Sequence, residues 1–149
     1  MEKTRELFDI WNKNKQYIEF THHRKIVKPG EIWLCKIWVN IGSEISKDDE
    51  FVRPILVLKT GIGWDLISMV PITTKYNHNF SYAYYTIGNF IDYGLAFRIF
   101  CVLNQARVIS IKRLTRKLNN IKVNGKDIPL LPYNQLSVIK QKINKIIFQ

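Results

Sequence analysis

The stretch Phe51–Lys59, FVRPILVLK, decides the fold of this chain. Its apolar run contains Ile55 and Val57, and a short uninterrupted run of β-forming residues is typical of a strand that is buried on both faces. Pro54 disfavours the helical conformation for the residue before it, so Arg53 is expected to be extended at the entrance to this strand. An isolated arginine in that position usually extends to water. Its role therefore depends on the segments around it.

Strand-like segments lie on both sides of this stretch. Gly30–Glu44, GEIWLCKIWVNIGSE, precedes it and ends in a polar loop, and Leu66–Lys75, LISMVPITTK, follows it and ends in a Thr-Thr pair. In the order and spacing of these pieces the chain resembles the MazF/PemK/Kid family of toxins from type II toxin–antitoxin systems. Members of that family are small ribosome-independent endoribonucleases. The resemblance covers residues 28–117, and the last helix is similar too.

The resemblance implies a set of site residues. Arg53 matches the catalytic arginine of the family's Arg-Pro motif, and Thr73 matches its catalytic threonine. Glu44, in the loop before Arg53, is a conceivable general base. The implied RNA-binding residues are Ser43, Thr74, Lys75 and Gln105. The family reaction needs no cofactor and no metal, and it leaves a 2′,3′-cyclic phosphate and a 5′-hydroxyl.

These residue types suit phosphodiester cleavage without a metal. The ribose 2′-hydroxyl must lose a proton, the extra negative charge on the phosphorane must be stabilised, and the 5′-oxygen must gain a proton. The planar guanidinium of Arg53 can donate two parallel hydrogen bonds to phosphate oxygens, and the hydroxyl of Thr73 can donate a third. If the strands that carry them are antiparallel neighbours, both side chains lie at the same end of the barrel.

Length and composition place the chain in the class of globular domains. At 149 residues we expect a single domain, with a helical extension over residues 1–27, a barrel core over 28–118, and a hairpin and helix over 119–149. No apolar run is long enough for a membrane span, and the start has no signal-like region. Cys35 and Cys101 lie inside apolar runs, as expected for buried thiols in a reducing compartment. We therefore expect a cytoplasmic protein.

The positive charge is uneven along the chain. The net charge is +11, and the part from Gln105 onwards holds ten Lys or Arg residues and one acid. Such an excess favours a polyanionic partner. Charge alone does not separate RNA, DNA and an acidic protein, and a solvated basic face is the plain alternative.

The local patterns predict a mainly β chain with appended helices (α+β). Its fold class is a small SH3-like barrel, MazF/CcdB-like, with an N-terminal and a C-terminal helix. The predicted helices are Lys3–Glu19, a short one over Ile111–Leu118 that Ser110 caps, and Gln135–Ile147. The predicted strands are Glu31–Val39, Phe51–Lys59, Asp65–Ile72 and Phe80–Ile87. Arg98–Asn104 and Ala106–Ile111 are predicted as two further strands or one kinked strand, and a hairpin about Asn124-Gly125 follows.

Three functions stay open on the sequence. The first is a sequence-selective endoribonuclease that acts on single-stranded mRNA as a homodimer, is neutralised by a cognate antitoxin, and contacts DNA only through the antitoxin complex. The second is a non-catalytic gyrase poison of the CcdB kind, and the third is a nucleic-acid-binding module without activity. The chain has no P-loop, no His/carboxylate cluster and no nucleophile-like cysteine motif, which disfavours other hydrolase classes.

Overall fold

A computed structural model describes residues 3–22, 25–37, 52–89, 98–123, 125–129 and 135–149. It contains α-helices α1 (Arg5–Thr21) and α2 (Leu136–Phe148). The strands are β1 (Ile32–Lys36), β2 (Val52–Lys59), β3 (Leu66–Thr73), β4 (Tyr84–Asn89), β5 (Arg98–Val102), β6 (Arg107–Ser110), β7 (Leu114–Leu118), β8 (Asn120–Val123) and β9 (Lys126–Pro129). Short 3₁₀ helices cover His78–Ala83, Leu103–Gln105 and Ile111–Arg113.

Strand β2 lies at the centre of the sheet and confirms the prediction for FVRPILVLK. It pairs antiparallel with β1 on one side and with β3 on the other. The four consecutive residues from Ile55 to Leu58 are all buried. A strand that is covered on both faces has no polar alternation, which explains its continuous apolar run.

The large sheet has seven strands in the order β4-β5-β3-β2-β1-β7, and β6 pairs with β3 beside β5. The second edge of β3 is shared, because Leu66–Met69 pairs with β6 whereas Ile72 and Thr73 pair with β5. Within the described ranges no strand ladder joins β7 to the far side of the sheet. The prediction of a closed barrel was wrong, whereas a mainly β fold with a helix at each end is confirmed.

The sheet stays open between β6 and β7. These strands lie on opposite sides of β2, and the 3₁₀ helix Ile111–Arg113 connects them. Ile109 of β6, Ile111 and Leu114 of β7 pack in one cluster, so the sheet curls over that cluster. Within the described ranges β6 pairs with β3 and β7 pairs with β1, but no ladder joins β6 to β7.

The sheet has two buried faces. We call one the Arg53 face, because its β2 residues are Arg53, Ile55 and Val57; the last two pack with Cys35 and Met69. The opposite helix face carries Leu56, Leu58, Val70 and Ile72 of the central strands, and it is covered by Leu136, Ile139 and Ile143 of α2. The apolar stripe predicted for the last helix is therefore core.

Helix α1 packs against the 3₁₀ helix Ile111–Arg113. Trp11 and Ile18 are buried, the guanidinium carbon of Arg113 lies 5.7 Å from the Trp11 ring centroid, and Glu19 forms a 3.3 Å ion pair with Lys112. The Thr4 hydroxyl accepts a hydrogen bond from the Leu7 N–H and caps the helix. The N-terminal extension is thus joined to the connection between β6 and β7.

Two predicted elements differ from the structure. The segment Phe80–Ile87 was predicted as one strand, but a 3₁₀ helix occupies His78–Ala83 and β4 starts at Tyr84. The Asn77 side chain accepts a hydrogen bond from the Asn79 N–H, which favours the turn over the strand. The short helix predicted over Ile111–Leu118 is wrong after its first turn.

The beginning of that short helix was predicted correctly. The Ser110 hydroxyl accepts a hydrogen bond from the Lys112 N–H, as a capping residue does. The helix then ends at Arg113, because Leu114–Leu118 pairs with β1 as strand β7. A tertiary pairing thus overrides the local helix signal.

The predicted hairpin is present as β8 and β9, and Gly125 in its turn has φ 77°, a conformation that glycine adopts without strain. In the parts of the chain that the structure describes, no helix has the length and apolar character that a membrane crossing demands.

Candidate active site on the Arg53 face

Arg53 lies near the beginning of β2, opposite Cys35 of β1. Directly opposed residues of antiparallel strands share a face, so Arg53 is on the same face as the buried Cys35. The side chain of Arg53 is half-buried, and this burial lowers the pKa of its guanidinium. The arginine is thus a cation at the border between a hydrophobic core and solvent.

Thr73 is the last residue of β3, and the strand register relates it to Arg53. Ile55 pairs with Pro71, so two further residues along each strand lead to Arg53 and to Thr73. Strands β2 and β3 are antiparallel neighbours, and this arrangement is required for both side chains to lie at the same end. Because side chains alternate along a strand, Arg53 and Thr73 lie on one face and at one end of the sheet.

A local turn orients the Thr73 side chain. Its hydroxyl oxygen accepts a hydrogen bond from the backbone N–H of Lys75 at 3.1 Å. A hydroxyl that accepts one hydrogen bond still carries a proton that it can donate. Thr73 is partly exposed, and Thr74 and Lys75 after it are fully exposed.

Two arginines near this end were not singled out by the sequence. Arg107 of β6 is opposite Met69, a residue of the Arg53 face, and Arg113 donates a hydrogen bond to the Lys36 carbonyl oxygen at 3.3 Å. Burial raises the pKa of the Cys35 thiol to about 12, against the opposing effect of these two arginines. Both cations are therefore close to the residue that pairs with Arg53. The positions of Arg107 and Arg113 depend on how β6 and the following turn pack. No sequence motif predicts that packing.

Aromatic side chains lie beside Thr73. Phe100 of β5 is directly opposite Thr73 and is buried. The ring of Tyr76 lies 5.1 Å from that of Phe100 and 5.1 Å from that of Tyr84, measured between centroids. No local sequence signal connects Phe100 with the site, because the β3–β5 pairing that brings it there is non-local.

Of the remaining predicted site residues, the structure describes Gln105 but not Ser43 or Glu44. Gln105 is half-buried at the end of a 3₁₀ helix between β5 and β6, the two strands that pair with β3. Ser43 and Glu44 lie outside the described residues. The structure therefore brings Arg53, Thr73, Thr74 and Lys75 to one end of the sheet and leaves the predicted base without a described position.

The described acidic residues of the central strands lie at the opposite end. Glu31 stands just before β1, where its carbonyl oxygen accepts from the Val57 N–H, and Asp65 stands just before β3. Glu31 forms an ion pair with Lys117, and Asp65 accepts a hydrogen bond from Ser110. Among the residues that the structure describes, no group of His, Cys, Asp and Glu could hold a metal ion. Among the described residues, neither of these carboxylates lies at the end with Arg53, where Arg53 and Lys75 carry positive charge.

Comparisons with known proteins gave one kind of match. No family model matches the chain, and no curated protein matches it. Among solved structures the chain is similar to the Mycobacterium tuberculosis toxin MazF-mt6, with 15% sequence identity and a TM-score of 0.45. The match covers 77% of this chain and 93% of that chain. A functional assignment must therefore come from the residues of this chain.

Proposed function

We propose that the protein is a metal-independent endoribonuclease that cleaves single-stranded mRNA, the toxin of a type II toxin–antitoxin system. One observation carries the proposal. The β2–β3 register leads to Arg53 and Thr73 at the same end and on the same face of the sheet. An arginine fork and a hydroxyl on one face and at one end of the sheet suit the charged oxygens of a phosphodiester in its transition state.

In the proposed reaction the ribose 2′-oxygen loses its proton and attacks the adjacent phosphorus. The bond from phosphorus to the 5′-oxygen of the next nucleotide breaks, and that oxygen takes up a proton from solvent water. The products are a 2′,3′-cyclic phosphate and a 5′-hydroxyl. Electrons and atoms balance without a metal, a redox partner or a covalent bond to the protein.

Arg53 serves as the charge stabiliser in this proposal. Burial lowers the pKa of its guanidinium, yet an arginine remains protonated at neutral pH, so it does not act as the general base. Its half-buried position places the charge where the effective dielectric constant is lower than in water. Hydrogen bonds from a cation to an oxyanion are stronger there.

We assign the remaining tasks to the neighbours of this pair. The Thr73 hydroxyl donates a further hydrogen bond to the phosphorane, and Glu44 removes the 2′-proton. Ser43, Thr74, Lys75 and Gln105 hold the RNA on either side of the scissile phosphate. The net charge of +11 suits both RNA and an acidic antitoxin segment, so a cognate antitoxin can neutralise a cytoplasmic homodimer by competition for the same surface.

The test is incubation of the purified protein with a long labelled RNA in EDTA, followed by end-group analysis. We expect discrete fragments with 5′-hydroxyl ends, and far less product from Arg53→Ala and Thr73→Ala proteins that are folded. Glu44→Gln should also lose activity if Glu44 is the base. Intact RNA from a folded wild-type protein would overturn the proposal, and gyrase inhibition or binding without cleavage would then be measured.

A further inference from the structure

Three aromatic side chains in the segment that follows Thr73 are exposed to solvent. Tyr76 is 38% exposed, Phe80 49% and Tyr82 62%. Phe80 and Tyr82 belong to the 3₁₀ segment His78–Ala83, which is kinked at Phe80, and their ring centroids lie 6.4 Å apart. We call these three rings the aromatic surface, because exposed apolar groups that lie close to one another commonly mark a binding site.

The aromatic surface continues directly from the catalytic pair. Tyr76 follows Thr73 by three residues, and its ring rests on Phe100, which is opposite Thr73 in the β3–β5 ladder. Tyr84 and His78 hold the same ring, with centroids at 5.1 and 4.8 Å. Tyr76 is thus fixed in place at the edge of the site.

The 3₁₀ helix that carries the other two rings is also anchored. Ala83 at its end is buried, with 1% exposure, and Asn77 caps its beginning by accepting a hydrogen bond from the Asn79 N–H. The helix therefore turns its small residue towards the core and leaves Phe80 and Tyr82 facing outwards. The Tyr76 ring, which three other rings contact, loses little conformational freedom when a flat ligand stacks on it.

Positive charge borders the aromatic surface. Lys75 and Arg98 are both exposed. Lys75 follows Thr73 in the turn after β3, and Arg98 begins β5 two residues before Phe100, which is opposite Thr73. Exposed rings beside cations are the combination that binds single-stranded nucleic acid, since the cations follow the phosphates and the rings stack on the bases.

We propose that Tyr76, Phe80 and Tyr82 form a stacking subsite for unpaired RNA bases next to the scissile phosphate. The subsite holds the strand so that one phosphate lies between Arg53 and Thr73. Because every base has a flat face, the subsite selects for unpaired RNA more than for one base. The position of the phosphate in this inference rests on the proposed function. RNA binding by the three rings can be measured without any cleavage.

The binding test uses a fluorescein-labelled 2′-O-methyl oligouridylate, which lacks the attacking hydroxyl and so stays intact with the wild-type protein. Phe80→Ala and Tyr82→Ala should each weaken the Kd about tenfold or more, as the loss of one base–aromatic stack does. Phe80→Leu and Tyr82→Leu, which keep apolar area without a ring face, should bind almost as weakly. Phe148→Ala is the matched control, because Phe148 is 78% exposed at the end of α2.

Salt dependence separates the rings from the cations. The aromatic variants should keep the wild-type slope of log Kd against log salt concentration, whereas Lys75→Ala and Arg98→Ala should each reduce it by about one. An oligomer of the same length with abasic sugars should bind the wild type and Phe80→Ala equally. On cleavable RNA, the ring variants should raise KM and leave kcat within about twofold.

Each outcome decides the inference. If Phe80→Ala and Tyr82→Ala bind the oligouridylate as Phe148→Ala does, the subsite is refuted, whether or not the wild type cleaves RNA. If the wild type cleaves nothing but the ring variants lose affinity, the stacking surface stands and the proposed function fails. If the ring variants keep RNA affinity and lose only the binding of an acidic antitoxin peptide, the surface is a protein-docking site and the inference is wrong.

Discussion

Arg53 and Thr73 lie at facing positions of two antiparallel strands, each two residues beyond the paired Ile55 and Pro71. Both strands continue from there into the hydrophobic core, where Ile55 and Val57 are completely buried. The pair is therefore attached to the buried centre of the sheet. Such attachment favours catalysis by preorganised groups, which need no rearrangement when charge develops on the substrate.

The first prediction concerns the shape of the cation at position 53. Arg53→Lys keeps one positive charge but loses the planar fork that donates two parallel hydrogen bonds. We expect kcat for RNA cleavage to fall by about 10²-fold or more, the usual cost of a lost transition-state donor. Single-turnover cleavage at saturating enzyme measures it. If the lysine variant kept most of the wild-type rate, a positive charge at position 53 would be sufficient and the planar fork would not be required.

The second prediction concerns the hydroxyl of Thr73. Thr73→Ser keeps the oxygen that accepts from the Lys75 N–H and keeps a donor, whereas Thr73→Val removes both at similar volume. We expect the serine variant to retain cleavage within about tenfold and the valine variant to lose about 10²-fold. Equal activity of the two variants, with unchanged thermal unfolding, would show that the hydroxyl takes no part in the chemistry.

The third prediction concerns stability at low pH. Partial burial raises the pKa of Glu31, but the hydrogen bonds from Lys117 and from the Lys28 N–H, both 2.6 Å, outweigh it and lower the pKa below its ordinary value of 4.5. A lowered pKa in the folded state gives stability that is present above about pH 4.5 and is lost as the pH falls.

Glu31→Gln tests this linkage. The variant should be less stable than the wild type by about 0.5–1 kcal/mol at neutral pH, a modest value because Lys117 is half-exposed and solvent screens the pair. The difference in the free energy of unfolding should shrink as the pH falls below about 4.5 and the carboxylate becomes protonated. Urea titrations at a series of pH values measure it, and a difference that grows in acid would contradict the assignment.

The fourth prediction concerns the two thiols. Cys35 and Cys101 are free and buried, on opposite faces of the sheet. Burial raises the pKa of Cys35 to about 12 and raises that of Cys101 as well. Because the thiolate is the reactive form, iodoacetamide at about pH 8 should label neither in the native protein and both in urea. Rapid native labelling of Cys35, read by mass spectrometry, would show that the Arg53 face opens to solvent.

The sequence was most informative where one short segment decides the outcome. Ile55 to Leu58 could be predicted as a strand buried on both faces, because a short apolar run without alternation is typical of such a strand. The turn at Gly125 and the apolar stripe of α2 are equally local. The sequence also placed Arg53 and Thr73 at strand ends, and the β2–β3 pairing supplies the antiparallel relation between them.

Non-local pairing explains what was missed. Leu114–Leu118 was predicted as helix after the Ser110 cap, but Leu118 pairs with Ile32 across more than eighty residues of chain. Phe100 and Arg107 approach the site only because β5 and β6 divide one edge of β3 between them. No periodicity within a single segment encodes such a division.

The most direct test of the account is a double-mutant cycle on RNA cleavage in EDTA, with wild type, Arg53→Ala, Thr73→Ala and the double variant, all shown to be folded. Two groups that stabilise one transition state lose activity non-additively. We predict that each single variant loses about 10²-fold or more in kcat and that the double variant loses far less than the product of the two. Full activity in either single variant, or independent losses that multiply, would contradict a shared catalytic site.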